Sequence, residues 1–468
     1  MRTLLLSIPY YFINTLHSEF LPPIHLLYLS TFLNNKGYET EIEDISAKFG
    51  IQRTKEEITK FKLDFQTWVE SKPDKFDIIG LSCYTSFQYL ATIDMAHIIK
   101  KLFPEISIVV GGYHASAIPN DFLFKDSPID YCVIGEGETA MLKIVEAESK
   151  GLIISKIVNV KPIFDINLNH EIDFSVLKDW SKYYYHYDYL SRGCPYGCTF
   201  CMESVKNERR WRNLTIDNAL RKLDKSVSHV SEMKLKNQNL IMLNDANFGM
   251  DKKWLKELLT EIIKRNYPVS FFASPRIDNL DFEILELMRD AKFSIDIPVE
   301  SGSIKILEMM NKTTNPNDYL STASQLIKHA NQIHLPFHTH WIFGFPGETK
   351  ETINECYDYM QENHIDNKYG MTEIFLFKLY PGSWIYNNWQ SAKKLGAEWL
   401  IPEYWKYEID IDEHEYNIHP SFNLKNKELI NIVNTHIKPF GMEINKIAIN
   451  NHDVCCSTLK QENAPWII

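Results

Sequence analysis

Short apolar runs alternate with helical stretches twice over in one chain, and this rhythm restricts the fold more than any other feature. In the first series the runs are TLLLSI, DIIGLSC, SIVVGG and DYCVIGEGE. Helical stretches separate them, such as PPIHLLYLSTFLNNKGY, with paired prolines near its start and Gly37 as a C-terminal stop. Apolar strands spaced by helices predict an open, doubly wound parallel sheet covered on both faces. Ligands of such sheets bind beyond the carboxyl ends of the strands, here SCYTS, GGYHAS and GEGE.

The second series places strands near 185–191, 240–245, 269–276, 293–300, 336–343 and 371–379. Between them, DKKWLKELLTEIIKRN sets Leu255, Leu258, Leu259, Ile262 and Ile263 on one apolar helix face. Six strand–helix units predict a partial parallel barrel. Alternation puts Ser270, Ser274 and Arg276 on one strand face, Ser294, Asp296, Pro298 and Glu300 on another, and His338 with His340 on a third. A closed eight-stranded barrel fills its interior with branched apolar side chains. Polar faces predict instead an open lumen for polar ligands, or strands that meet solvent at the barrel edge. The expected α/β organisation is a Rossmann-like unit at 1–150, a linker at 151–183, the barrel at 184–385 and a small C-terminal region at 386–468.

Size and charge narrow the function. A chain of 468 residues, at roughly 150 per domain, suits about three domains. Lys and Arg total 50 against 61 Asp and Glu, for a net charge of -11, and no run of five basic residues offsets it. A nucleic-acid partner is therefore not expected. No apolar stretch approaches the about 20 residues of a membrane span. The opening MRTLLLSIPYYFI is broken by Pro9 and lacks a small-residue cleavage site, so it reads as the buried first strand of a cytoplasmic protein. Eight cysteines are too few for a disulfide scaffold. Cys83, Cys132 and Cys356 are scattered, and Cys455 and Cys456 are adjacent, but Cys194, Cys198 and Cys201 cluster within eight residues.

That cluster, SRGCPYGCTFC, follows an expected strand. Three thiolates on one loop can hold three irons of a four-iron cluster and leave the fourth without a protein ligand. An amino acid moiety can chelate the open iron through its amine and carboxylate. A structural zinc site is the alternative; it needs a fourth ligand, for which His186 is a candidate.

The motif, with Phe200 before its last cysteine, resembles that of the radical S-adenosylmethionine (SAM) enzymes. IMLNDANFGMD, SPRIDNLDFEILELMRDA, IPVESGSIKILEMMNK, HWIFGFPGET and LYPGSWIY follow in the order expected along the barrel of that family. The N-terminal segments PPIHLLYLSTFLNNKGYETEIEDIS, VVGGYHASAIPNDF and DYCVIGEGE resemble the cobalamin-binding domain of one large class of these enzymes. The resemblance covers roughly residues 1–385.

It implies that Cys194, Cys198 and Cys201 ligate a 4Fe-4S cluster and that Phe200 lies against the adenine of SAM. It matches Asp245 and Asn247 to contacts with the methionine amine or ribose, and Glu300 and Ser301 to ribose or amino acid contacts. Arg276 is expected at the SAM carboxylate, or else paired with Asp245 or Asp296. Gly344 and Gly347 would let backbone approach adenine, or would only make a turn. His338 and His340 read as substrate contacts or as core histidines.

Cobalamin contacts are expected from the strand-end loops: Ser82, Tyr84, Thr85, Ser86, Gly111, Gly112, His114, Gly135, Glu136 and Gly137. The pattern D-x-H-x-x-G, which supplies a histidine beneath cobalt, is missing: His17 has neither the Asp nor the Gly at the matching spacing. The resemblance implies methyl transfer from methylcobalamin to an unactivated carbon or a phosphinate-type phosphorus. Rearrangement or cyclisation, a cobalamin-free radical enzyme and a non-enzymatic metal protein are its rivals. The implied partners are a small-molecule or peptide substrate and a reductant such as flavodoxin or ferredoxin.

Overall fold

The triplet Leu4-Leu5-Leu6 shows why the first strand must be interior. Leu5 packs with Leu27, Leu33 and Val133 on one face, while Leu4 and Leu6 pack with Phe61, Phe65 and Ile99 on the other. A strand with apolar side chains on both faces needs helices on both sides. The computed structural model describes residues 1–11, 21–72, 76–169, 171–203, 205, 209–233, 235, 239–364, 368–408 and 418–451. His17, Cys455 and Cys456 lie outside the described residues.

The first sheet contains β1 (Arg2–Ser7), β2 (Glu39–Asp44), β3 (Ile78–Ser82), β4 (Ser107–Gly111), β5 (Tyr131–Ile134) and β6 (Ile157–Asn159). Its order is β2-β1-β3-β4-β5-β6, and every neighbouring pair is parallel. Winding reverses between β1 and β3, which makes the crevice beyond their carboxyl ends the favoured ligand position. Residues 151–183, expected as a linker, do more than connect. They supply β6, and Phe174, Trp180 and Tyr183 bury in a hydrophobic cluster shared by both units.

The barrel begins with β7 (His186–Asp188). The short antiparallel pair β8 (Ser191–Arg192) and β9 (Arg212–Asn213) then brackets the cysteine loop. It continues with β10 (Leu240–Leu243), β11 (Ser270–Ala273), β12 (Phe293–Glu300), β13 (Phe337–Phe343) and β14 (Gly370–Leu376). The six parallel strands lie in the order β7-β10-β11-β12-β13-β14. All six expected strands are present. The helix Lys252–Arg265 starts at Asp251, whose carboxylate accepts from the N–H groups of Lys253 and Trp254, and it buries Leu255, Leu258, Leu259 and Ile262.

An open barrel leaves a strand edge that must be satisfied. The helix Lys438–Asn451 supplies Asn445, which accepts from Thr372 N–H at 2.7 Å and donates to Thr372 C=O at 3.0 Å. The C-terminal region adds the antiparallel pair β15 (Glu398–Trp399) and β16 (Ile418–His419). It also bolts onto the first unit: Trp405 is buried there and donates its indole N–H to Asp121 at 2.7 Å. Among the described residues, no helix is long and apolar enough to cross a membrane.

Candidate active site between two strand-end rims

The carboxyl ends of the two sheets face each other across a cavity of about 340 Å³. The first sheet contributes Ser82, Tyr84, Gly111, Gly112, Gly135, Glu136 and Gly137; the barrel contributes Tyr189, Ser191, Arg192, Gly193, Asn244 and Asp245. The first rim is built from backbone. Gly112 has φ of +116°, and a Cβ there would stand 2.2 Å from the Cys83 carbonyl oxygen. Only glycine permits that close approach of β4 to the end of β3. Gly111, Gly112, Gly135 and Gly137 let a large, flat group approach the backbone there, so the rim fits a bound cobalamin.

Three expected rim residues, Thr85, Ser86 and His114, do not line this cavity. Ser86 Oγ meets His114 Nδ1 at 2.8 Å, and His114 Nε2 lies 3.3 Å from Asp121. The His114 ring is fully buried against Tyr89, Phe122 and Trp405, and that burial lowers its pKa. The helix Tyr113–Ala117 explains the divergence, because successive helical side chains point about 100° apart. Tyr113 therefore reaches the cavity while His114 turns into the core.

Sequence reasoning placed the helix Ile24–Asn35 but did not single out its residues at the site. Its residues His25 and Tyr28, one turn apart, both line the cavity. His25 Nε2 meets Ser82 Oγ at 2.9 Å, and Tyr28 donates its hydroxyl to Asp188 at 2.7 Å. The paired prolines marked that helix start, but only the packed sheet reveals which face meets the rim.

The GEGE segment also grips the barrel. Glu138 pairs with Arg192 at 2.6 Å, and Glu136 accepts from Arg212 at 3.1 Å. Burial by itself would raise the Glu138 pKa; Arg192 outweighs it and holds the carboxyl below its ordinary value. Arg192 stands two residues before the first clustered cysteine, so the two rims are tied together next to that loop.

The cysteine loop is held from outside. Thr199 donates N–H to Met310 C=O at 2.8 Å and Oγ–H to Met309 C=O at 3.0 Å, and Asn311 donates to Gly197 C=O at 2.9 Å. Cys194 and Cys198 are half-buried and Cys201 is exposed. Among the described residues, Asp296, His338 and His340 are the group that brings three ligand atoms within 4.8 Å of one another. The three thiols do not all fall within that distance of one another, which fits a multi-iron cluster in which each sulfur holds a different metal. A single zinc would need sulfurs about 4 Å apart. The candidate fourth zinc ligand, His186, is buried among Phe174, Trp180 and His229.

Arg276 is directed at this loop. Its Nη1 donates to Cys198 Sγ at 3.3 Å, its guanidinium covers the Tyr196 ring at 3.7 Å, and Nη2 donates to Asp278 at 2.7 Å and to Lys312 C=O at 2.6 Å. Neither expected pairing, with Asp245 or with Asp296, occurs. Its guanidinium thus stands beside the cysteine loop, held by Asp278 and the Lys312 carbonyl.

The other expected SAM residues occupy varied settings. Phe200 packs against Ile306, Met310, Phe345 and Phe377. Asp245 accepts from Leu190 and Ser191, and burial pushes its pKa up to about 6. Asn247 is fully buried; its carbonyl accepts from Asn279 at 2.7 Å, while its Nδ2 has no partner among the described residues. Glu300 has φ of +71°, uncommon outside glycine, and accepts from Lys312 at 2.7 Å. Ser301 accepts from Ser303 N–H at 3.2 Å.

Gly344 and Gly347 form a turn with φ of +90° and +97°. Glu348 accepts the Gly344 N–H, and a Cβ would meet Leu429 at 2.6 Å on Gly344 or Met309 at 2.8 Å on Gly347. Both glycines thus sit in a tight turn against the side chains of Leu429 and Met309.

The barrel lumen is polar, as the alternation implied. Asp296 faces His340 at 3.0 Å and accepts from Ser274. Glu373 lies 3.0 Å from His338 Nδ1 and 3.3 Å from His340 Nε2. Burial would lower the His340 pKa, but Asp296 and Glu373 override it and push it up to about 10. The lumen is thus a place where positive charge is favoured.

Comparison with known proteins agrees with this architecture. Residues 189–360 match the model of the radical SAM superfamily, and residues 17–145 match the B12 binding domain. An uncharacterised methyltransferase of Pyrococcus horikoshii is 25% identical over 411 residues, spanning 84% of this chain and 82% of that protein. The anaerobic magnesium-protoporphyrin IX monomethyl ester cyclase of Rubrivivax gelatinosus is 26% identical over 72% of this chain and 61% of its own length. The cobalamin-dependent SAM radical enzyme OxsB, solved with aqua-cobalamin and SAM bound, superposes with a TM-score of 0.69 at 16% identity, over 99% of this chain and 71% of that one. With two parallel sheets opening onto one cavity, three clustered thiols at its edge and both family matches in that order, the chain belongs to the radical SAM enzymes that carry an N-terminal B12-binding domain.

Proposed function

We propose that the chain is a cobalamin-dependent radical SAM methyltransferase that methylates an unactivated carbon or a phosphorus of a small molecule or peptide. One observation carries this reading: a single cavity is lined by the glycine rim of the first sheet and by Ser191, Asn244 and Asp245 beside the cysteine loop. Bound there, the cluster with SAM supplies a radical able to remove an unactivated hydrogen, and cobalamin supplies a transferable methyl group.

In this reading Cys194, Cys198 and Cys201 hold three cluster irons, and Arg276 offsets thiolate charge at Cys198. Phe200, Asp245, Asn247, Glu300 and Ser301 surround SAM. Ser82, Tyr84, Gly111, Gly112, Gly135, Glu136 and Gly137 hold cobalamin. Tyr28, Tyr84, Tyr113 and Tyr189 line the cavity with aromatic rings and help exclude water, which protects reactive intermediates. Electrons come from a flavodoxin- or ferredoxin-type reductant of the cytoplasm. Likeness to the cyclase supports a second reading, rearrangement or ring formation with the same cofactors.

The test is an anaerobic assay with reductant, hydroxocobalamin and SAM carrying a deuterated methyl group, run against extract of the source organism. Methyl transfer yields 5′-deoxyadenosine, S-adenosylhomocysteine and a labelled product. A product without label, with 5′-deoxyadenosine still formed, selects the second reading. Absence of 5′-deoxyadenosine overturns both.

A further inference from the structure

The lumen of the barrel holds donor atoms that neither the cysteine loop nor the inter-sheet cavity employs. We propose that Asp296, His338 and His340, with Glu373 beside them, form a second metal site that takes one divalent transition cation of the zinc or iron(II) type.

Strand register assembles it. Asp296 of β12 stands opposite His338 of β13, and His340 stands opposite Glu373 of β14. His338 and His340 are two apart and share a face. One ligand atom each from Asp296, His338 and His340 falls within 4.8 Å of the others. His340 Nε2 lies 3.0 Å from Asp296 Oδ1 and 3.3 Å from Glu373 Oε2. Donors bound at zinc distances in a tetrahedron are about 3.4 Å apart; the Asp296–His340 and His340–Glu373 separations need only slight opening, and His338 stands within 4.8 Å.

A second observation points to a missing ligand. Asp296 Oδ1 and His340 Nε2 are both buried and stand 3.0 Å apart as an ion pair, yet the pair does not have the geometry of a well-directed hydrogen bond. The two atoms are close but not aimed along a shared hydrogen, as expected of donors that face a common third atom. Asp296, only 4% exposed, is among the most confined carboxylates of the barrel.

Outer partners are in place as well. Ser274 donates to the other Asp296 oxygen. Glu373 meets His338 Nδ1 at 3.0 Å, which orients that ring. Two histidines and one carboxylate suit zinc or iron(II) and leave a position open for water or for an oxygen of a bound molecule. Phe375, on the same strand face as Glu373, contacts His340 at 5.7 Å and is 46% exposed, which puts solvent close to the site.

The test uses the full chain with Cys194, Cys198 and Cys201 all changed to Ala, so that cluster iron does not count. The protein is stripped with chelator and titrated with cobalt(II), read by visible absorption. The expected result is one equivalent bound with the bands of a low-symmetry nitrogen–oxygen site, displaced by zinc. Asp296→Asn and His340→Gln, each checked for unchanged circular dichroism, weaken cobalt binding at least tenfold and abolish the zinc-induced rise in Tm. Cobalt that stays fully hydrated, or binds equally well to the folded variants, overturns the site. Because the readout needs neither SAM nor cobalamin, its failure is distinguishable from failure of the methyltransferase reading.

Discussion

The two six-stranded parallel sheets use the same βα unit and present opposite kinds of rim. The first sheet winds outward in both directions from β1 and β3, is apolar on both faces, and offers a ligand mainly glycine backbone at its strand ends. The barrel sheet runs in chain order and keeps a polar inner face, so it offers side chains: thiols, carboxylates and histidines. Shape governs one side and donor chemistry the other. A reaction that needs a large planar cofactor and a reactive metal cluster at one place is served by that division.

The largest expected effect strikes the donor side. Cys194→Ala, Cys198→Ala or Cys201→Ala leaves an iron without its thiolate; cluster iron and 5′-deoxyadenosine formation should fall to background, measured by metal analysis and chromatography. Retained activity in any of them would break the assignment of chemistry to that rim. On the shape side, Gly112→Ala sets a Cβ 2.2 Å from a carbonyl oxygen at φ of +116°. Strain and overpacking together should cost about 4 kcal/mol in denaturant unfolding and reduce cobalamin retention on gel filtration.

The joint between the rims comes next. Glu138→Gln leaves Arg192 with Glu136, 3.8 Å away, as its carboxylate partner among the described residues, and should cost about 3 kcal/mol in the same unfolding assay. If stability is unchanged, the rims are not coupled through this pair.

The smallest effect concerns the wall where the barrel starts. Burial lowers the His186 pKa to about 3. Below about pH 6.5 the unfolded chain takes up a proton that the folded chain refuses, so stability falls by up to about 1.4 kcal/mol per pH unit. His186→Phe should remove that share of the acid sensitivity between pH 6.5 and 4.5, read from urea midpoints.

Much of the architecture was legible because buried strands are written as apolar runs and helices as spaced ones. Leu4 to Leu6, Ile78 to Leu81 and Phe293 to Val299 all announced themselves in that way. β2 was less visible, since Glu39, Glu41 and Glu43 alternate with Thr40 and Ile42 at a sheet edge where only one face is buried. Trp405 was invisible as an anchor, because its partner Asp121 lies 284 residues away. Arg276 was expected at the SAM carboxylate or paired with Asp245 or Asp296; in the structure its guanidinium meets Asp278, the Lys312 carbonyl and Cys198. A guanidinium's preference for anions is local, whereas the choice among Asp245, Asp296, Asp278 and Cys198 depends on which strand end it reaches.

Spacing within one loop and periodicity within one element belong to the sequence, because they act over a few residues whose geometry the backbone dictates. They determined the three-thiol loop, the two winding series and the polar inner face of the barrel. Tertiary structure alone decided that GEGE grips Arg192 and Arg212, that His114 turns into the core while Tyr113 meets the cavity, and that Asp296, His338 and His340 converge. Each of those outcomes depends on how separate elements pack, and packing is settled by the whole buried surface rather than by any single stretch of chain.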